Sequence, residues 1–227
     1  MKKILIGVLI FGWMGTSVTG SSIARAEDPV ESLKEAVGDH PDDAELQSRL
    51  GMAYMRDGQF ELAVSPLETA IRLKPDSAQY QYQISLAYAA LGRSEDKIRS
   101  LRQTIQLDPN FAGAHFKLGL AHAALKRHQE ASEFYKTALK LDPLFPKAHY
   151  FLALSYYLTN RFKEAVPHLK AEIQQNPDQP EAYYTLGLVY LKLGQYREAL
   201  PHLKTARGMV SLMAESPITS ASIIADQ

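Results

Sequence analysis

The sequence predicts an all-α chain, an α-solenoid of helix-turn-helix units 34 residues long. Three observations carry that reading. Prolines fall at Pro41, Pro75, Pro109, Pro143 and Pro177, each gap being 34 residues, and a fixed period of this size marks stacked repeats. Aligned on that period, large apolar residues stack in columns: Leu50, Ile84, Leu118, Leu152 and Leu186, and later Leu67, Leu101, Tyr135, Leu169 and Leu203. Small residues stack between them, at Gly51, Ser85, Gly119, Ala153 and Gly187 and at Ala63, Ala131, Ala165 and Ala199, with Lys97 the exception in the second column.

Residues 1–26 read as a targeting segment. Met1-Lys2-Lys3 is a positive start, Ile4 to Met14 is an uncharged, mostly apolar run, and Ala24-Arg25-Ala26 places small residues at the cleavage positions. Cleavage is expected after Ala26. Even extended to Val18, the run is shorter than the about 20 residues that span a bilayer. Removing it takes away Lys2, Lys3 and Arg25 and no acidic residue, which leaves a slightly acidic chain expected in the periplasm or outside the cell. Residues 27–43 hold a half-repeat. Over 29–38, Leu33 and Ala36 keep register with later columns before Pro41, as a solitary second helix capping the amino end would. A solenoid needs such a cap because a terminal unit alone leaves half its apolar surface uncovered.

Five full units follow, at 44–77, 78–111, 112–145, 146–179 and 180–213. In each, a Leu-Gly type pair and an aromatic three residues on lie on one face of a first helix, A. Breaks are expected at Asp57-Gly58, Leu91-Gly92, Lys126-Arg127, Thr159-Asn160 and Leu193-Gly194, where Gly or Asn supplies a left-handed residue. The second helix, B, closes at Asp108-Pro109, Asp142-Pro143 and Asn176-Pro177, because the residue before proline is pushed out of the helical region. Pro167 and Pro201 fall inside helix B and are expected to bend it. The last helix lacks a proline at Ser211 and should run on towards Ser216-Pro217. The tail, 214–227, is expected to be largely without structure, with Ile218, Ile223 and Ile224 as its docking candidates.

This spacing resembles the tetratricopeptide repeat: Leu-Gly, then Tyr, then Ala, a large apolar residue and Pro within 34 residues. The match spans 44–213. It departs from the family pattern at the first tryptophan, replaced by Gln47, Gln81, His115, His149 and Tyr183, and at Ser94 and Lys97, so the second repeat is expected to pack less tightly. Glu172 and Ser211 are further departures. The resemblance implies a right-handed superhelix with helices A on its concave side and a non-catalytic role in binding a protein or peptide. An envelope assembly is the expected setting. It also implies inward-facing columns. One holds Ser48, Tyr82, Phe116, Tyr150 and Tyr184; the next holds Met52, Leu86, Leu120, Leu154 and Leu188; a third holds Met55, Ala89, Ala123, Tyr157 and Leu191.

Those positions form one i, i+4, i+7 stripe. Neighbouring A helices would cover part of it, as stacked repeats do. An open remainder would be a partner site, since extended exposed apolar surface marks one. The binding candidates are Tyr82, Leu86, Phe116, Leu120, Tyr150, Leu154, Tyr157, Tyr184 and Leu188. The same groove could hold a lipid or another apolar small molecule, and an apolar inner or carboxy-terminal surface around Val210, Leu212 and Met213 could instead pair two copies. Ser48 and Met52 replace the Lys and Asn with which some family members clamp a terminal carboxylate. Arg49, Arg56, Lys117, Lys147 and Lys192 near the inner face read first as solvated charges.

Chemistry finds little support. The chain has no cysteine, so disulfides and thiolate chemistry are excluded. Lys plus Arg equals Asp plus Glu at 25 each, which removes the basic field that nucleic-acid binding relies on. Five of the seven histidines occupy repeat columns: His115 and His149 replace Gln47 or Tyr183, His122 replaces Tyr54 or Tyr88, and His168 and His202 recur 34 apart. No carboxylate stands beside them at ligand spacing, so no metal site is expected. No nucleophile elbow, phosphate loop or zinc-protease motif occurs. No cofactor and no enzymatic activity are expected.

Overall fold

The computed structural model describes residues 29–214, and the targeting segment expected at 1–26 and the residues after Ala214 lie outside that range. Eleven helices and no strand are present among the described residues. A single helix, α1 (Pro29–Asp39), precedes five antiparallel pairs. The A helices are α2 (Ala44–Arg56), α4 (Ala78–Ala90), α6 (Ala112–Ala124), α8 (Ala148–Leu158) and α10 (Pro180–Lys192). The B helices are α3 (Phe60–Leu73), α5 (Ser94–Leu107), α7 (His128–Leu141), α9 (Phe162–Gln175) and α11 (Tyr196–Ala214). The molecule is an all-α helical-repeat solenoid.

One backbone device makes every turn within a pair. Gly58, Gly92, Lys126, Asn160 and Gly194, spaced 34 apart, take φ between 60° and 74°. The next N–H then reaches back five residues: Gln59, Arg93, Arg127, Arg161 and Gln195 donate to the carbonyls of Tyr54, Tyr88, His122, Tyr156 and Tyr190 at 2.8–2.9 Å. This is the Schellman closure of a helix end, which needs a left-handed residue. The third turn makes it with a lysine, a residue the sequence pattern does not mark for that conformation. Between repeats, the C-caps Lys74, Asp108, Asp142 and Asn176 are extended, with φ from −134° to −139°, as the following proline requires.

Packing follows the columns. Ala63, Leu67, Leu101, Leu118, Ala131, Leu152, Ala165, Leu169, Leu186 and Ala199 are wholly buried. The glycines of helix A permit the close approach: a Cβ on Gly51, Gly119 or Gly187 would lie 2.5 Å from Leu67, Tyr135 or Leu203. The second repeat departs from these columns in composition. Lys97 is only half-buried where four alanines are closed in, and α5 buries Ser100 and Thr104 beside Leu101, with Thr104 bonding the Ser100 carbonyl at 2.9 Å. Pro66, Pro167 and Pro201 lie inside continuous helices. At the amino end α1 covers α2, with Val30 buried against Leu50 and Ala53.

Three of the five positions that replace the family's first tryptophan share a task. Gln47 donates to the Pro41 carbonyl at 2.9 Å, His115 bonds the Pro109 carbonyl at 2.9 Å, and His149 bonds the Pro143 backbone. Each ties helix A to the turn that precedes it by bonding a backbone carbonyl of that turn.

Candidate partner-binding groove

Successive A helices touch directly, α2 with α4, α6 with α8 and α8 with α10. They therefore form the inner row, and the inward stripe is tested by what covers it. The aromatic column is mostly closed by the repeat that follows. Tyr82 is half-buried with its ring 4.7 Å from Phe111, and burial raises its hydroxyl pKa. Phe116 is only 8% exposed, held among Tyr135, Phe145 and Phe151 at ring distances of 5.6, 5.0 and 5.7 Å. Tyr150 is half-buried against the same cluster. Only Tyr184, with no described repeat beyond it, stands 54% exposed. This column, expected to offer partner anchors, is for the most part the contact between repeats, and Phe116 is core.

The covering residues explain the correction. Phe111 and Phe145 sit in the turns between repeats, outside the helix pattern from which the stripe was read. The leucine column behaves otherwise. Leu86, Leu120, Leu154 and Leu188 are all half-buried, one per repeat, and Ala89 and Leu191 beside them are exposed. Tyr157 is half-buried, its ring 5.7 Å from Phe162. The open part of the inner face is therefore a strip of leucines, flanked by Ala89, Tyr157 and Leu191.

At the amino end the strip meets a polar recess that the sequence did not reveal. Ser48, Met52, Arg49, Arg56 and Glu45 of α2 line it with Gln83 of α4 and Leu33 of α1. Ser48 is buried, donating to Gln83 Oε1 at 2.7 Å, so it is a structural residue. The recess depends on α1 and α4 converging on α2, a long-range arrangement that no single repeat displays.

Nothing in the groove assembles a reactive constellation. Among the described residues no group of three His, Asp or Glu side chains could hold a metal ion. The histidines lie off the strip. His149 and His168 face each other with Nδ1 to Nδ1 at 3.0 Å. His122 and His202 pack on rings, His122 5.0 Å from Phe134 and His202 5.7 Å from Tyr190. Burial lowers the pKa of all four. Glu172, wholly buried in a column of small residues, accepts from the Tyr150 N–H at 3.2 Å and from Asn176 at 2.8 Å. It thereby caps α8 from a neighbouring helix. No helix among the described residues is long and apolar enough to cross a membrane.

The profile described as a tetratricopeptide repeat matches residues 25–78, 49–98 and 82–144, together more than half the chain. The chain belongs to the tetratricopeptide repeat family. A second profile, for subunit 3 of the anaphase-promoting complex or cyclosome, matches residues 125–206. No curated protein sequence matches significantly. Solved structures do. A crystal structure of MamA is 24% identical, with TM-score 0.67 over 74% of this chain and 98% of that one. MamA from Desulfovibrio magneticus RS-1 is 19% identical, with TM-score 0.69 over 76% and 97%. YrrB, described as a tetratricopeptide repeat protein with an unusual peptide-binding site, is 17% identical, with TM-score 0.70 over 79% and 93%. At these identities the likeness establishes the fold.

Proposed function

We propose that this tetratricopeptide repeat protein is a non-catalytic scaffold of the cell envelope whose inner leucine strip binds an apolar segment of a protein partner. One observation carries the reading: Leu86, Leu120, Leu154 and Leu188 stay partly open on four successive repeats, after the aromatic column beside them has been closed by packing. Leucines at a constant repeat spacing suit an extended or helical peptide with apolar side chains at intervals. Tyr157 borders the strip. Phe116 and Tyr184 are left out, one as core and one as part of the carboxy-terminal end. The peptide-binding description of YrrB is consistent with this use of the fold. The envelope setting rests on the amino-terminal leader pattern alone, and an export assay that recovers a chain beginning at Glu27 would support it.

The test is a peptide-display selection on the protein, followed by affinity measurement with a Leu120→Asp, Leu154→Asp variant. Both leucines are half-buried, so circular dichroism must first show an unchanged helix content and melting cooperativity. Selected apolar peptides are expected to bind the variant at least about tenfold more weakly. Equal affinity for both would place binding elsewhere.

A further inference from the structure

The two ends of the stack are finished differently. At the amino end α1 lies across α2 and closes it. At the carboxy end a cleft between α10 and α11 is lined by Glu181, Tyr184, Leu203, Ala206, Arg207 and Val210. At every earlier junction the following A helix packs on the preceding B helix. Among the described residues no A helix follows α11, and one column registers the difference: Phe116 is 8% exposed and Tyr184 54%, with Val210 at 56% beside it. The last B helix is also longer, 19 residues against 14 in the other four. The extra length projects α11 about 7 Å further.

The charges around this cleft identify its occupant. Glu181 stands on one wall and Arg207 on the other, both exposed, and neither belongs to an ion pair among the described residues. One acidic and one basic wall around an apolar floor is a self-complementary surface, which a two-fold interface demands. The stripe on α11 has the same property. Leu203, Ala206, Arg207 and Val210 stand at i, i+3, i+4 and i+7, one helix face, and are symmetric about a point between Ala206 and Arg207. Two antiparallel copies crossing there set Leu203 against the partner's Val210. The small Ala206 leaves room for the stem of the partner's Arg207, whose head is then directed to the opposite acidic wall.

We infer that the cleft between α10 and α11 is the interface of a two-fold dimer, filled by α11 of a second copy of this chain. Each copy lays its α11 against the other's last repeat, and Glu181 of each faces Arg207 of the other. The interface lies at the end of the stack, and the leucine strip approaches it only at Leu188, on α10.

Sedimentation of the full chain over about 1–100 µM tests this, beside four variants of exposed residues whose helix content is checked first. The parent is expected to be a dimer. Val210→Asp, Glu181→Arg and Arg207→Glu are each expected to weaken dimerisation at least tenfold, and the double reversal Glu181→Arg, Arg207→Glu to restore it. A parent that stays monomeric overturns the inference. So does a monomer that dimerises only once residues 215–227 are deleted, which would assign the cleft to the chain's own carboxy-terminal segment. A dimer indifferent to Val210→Asp and to both single reversals places the contact on another surface. Failure of the double reversal to recover the dimer removes the Glu181–Arg207 pairing.

Discussion

Tyr135 stands in a column that holds Leu67, Leu101, Leu169 and Leu203 in the other repeats. Its ring fills the space opposite Gly119, 2.5 Å from where a Cβ there would lie, and packs on Phe116 and Phe151. The hydroxyl is buried without a hydrogen-bond partner, and burial drives its pKa far above the usual phenol range. An orphaned buried hydroxyl costs roughly 1–3 kcal/mol, whereas an apolar group of the same shape does not. Tyr135→Phe is therefore expected to stabilise the fold by about 1 kcal/mol, seen as a higher urea midpoint at unchanged slope. A lower midpoint would mean that the hydroxyl is satisfied. The sequence shows Tyr135 in a column of large residues and Gly119 in a column of small ones. It is silent on the hydroxyl, whose fate depends on Phe151 of the next repeat.

Helix α8 shows the same limit at the next scale. The repeat register would start it at 146, as α4 and α6 start at Ala78 and Ala112, but it begins at Ala148 because Lys147 takes φ 62°. No side chain of its own caps it. Glu172 of α9 does so, placing a carboxylate where the helix dipole favours negative charge. The sequence marked Glu172 as a departure from a small-residue column, but a cap delivered from another helix leaves no local signature. The His149–His168 contact joins the same two helices. Two neutral rings share one hydrogen across it, while two imidazolium rings repel, so the pair accepts at most one proton.

That arrangement sets an acid limit on the fold. Desolvation is the leading cause of the lowered pKa at His122, His149, His168 and His202. Glu172 and the Pro143 backbone partly oppose it at His149, and Glu130 partly opposes it at His122. Their native values lie below the ordinary 6.5, so the unfolded chain takes up protons first as pH falls. Stability is thus complete above 6.5, declines as pH falls through 6.5 towards the lowered native values, and loses nothing further from these groups below them. The urea midpoint is expected to be lower at about pH 5.5 than at about pH 7.5. Replacing His149 and His168 together with Gln should flatten part of that slope, and a midpoint that rises on acidification would contradict the assignment.

At the scale of the whole molecule, the 34-residue period was legible because one turn device and one packing device recur five times, through the columns at Gly58 and Leu67. The breaks at Gly58, Gly92, Asn160 and Gly194 could be read from residues that tolerate a left-handed backbone, while Lys126 adopts it through its place in the stack. The inner face was legible only in part. Sequence spacing identified the stripe, but Phe111 and Phe145 close its aromatic column from turns that carry no helical periodicity. What remains open, from Leu86 to Leu188, is a property of four repeats together, and a partner engaging it should touch several repeats at once. The most direct measurement is photocrosslinking in the native cells with a photoreactive amino acid at Leu154 on the strip and, in a separate protein, at the exposed Lys170 on the outer helix α9. The account predicts a discrete protein adduct from position 154 and none from position 170; an adduct from position 170 alone would contradict it.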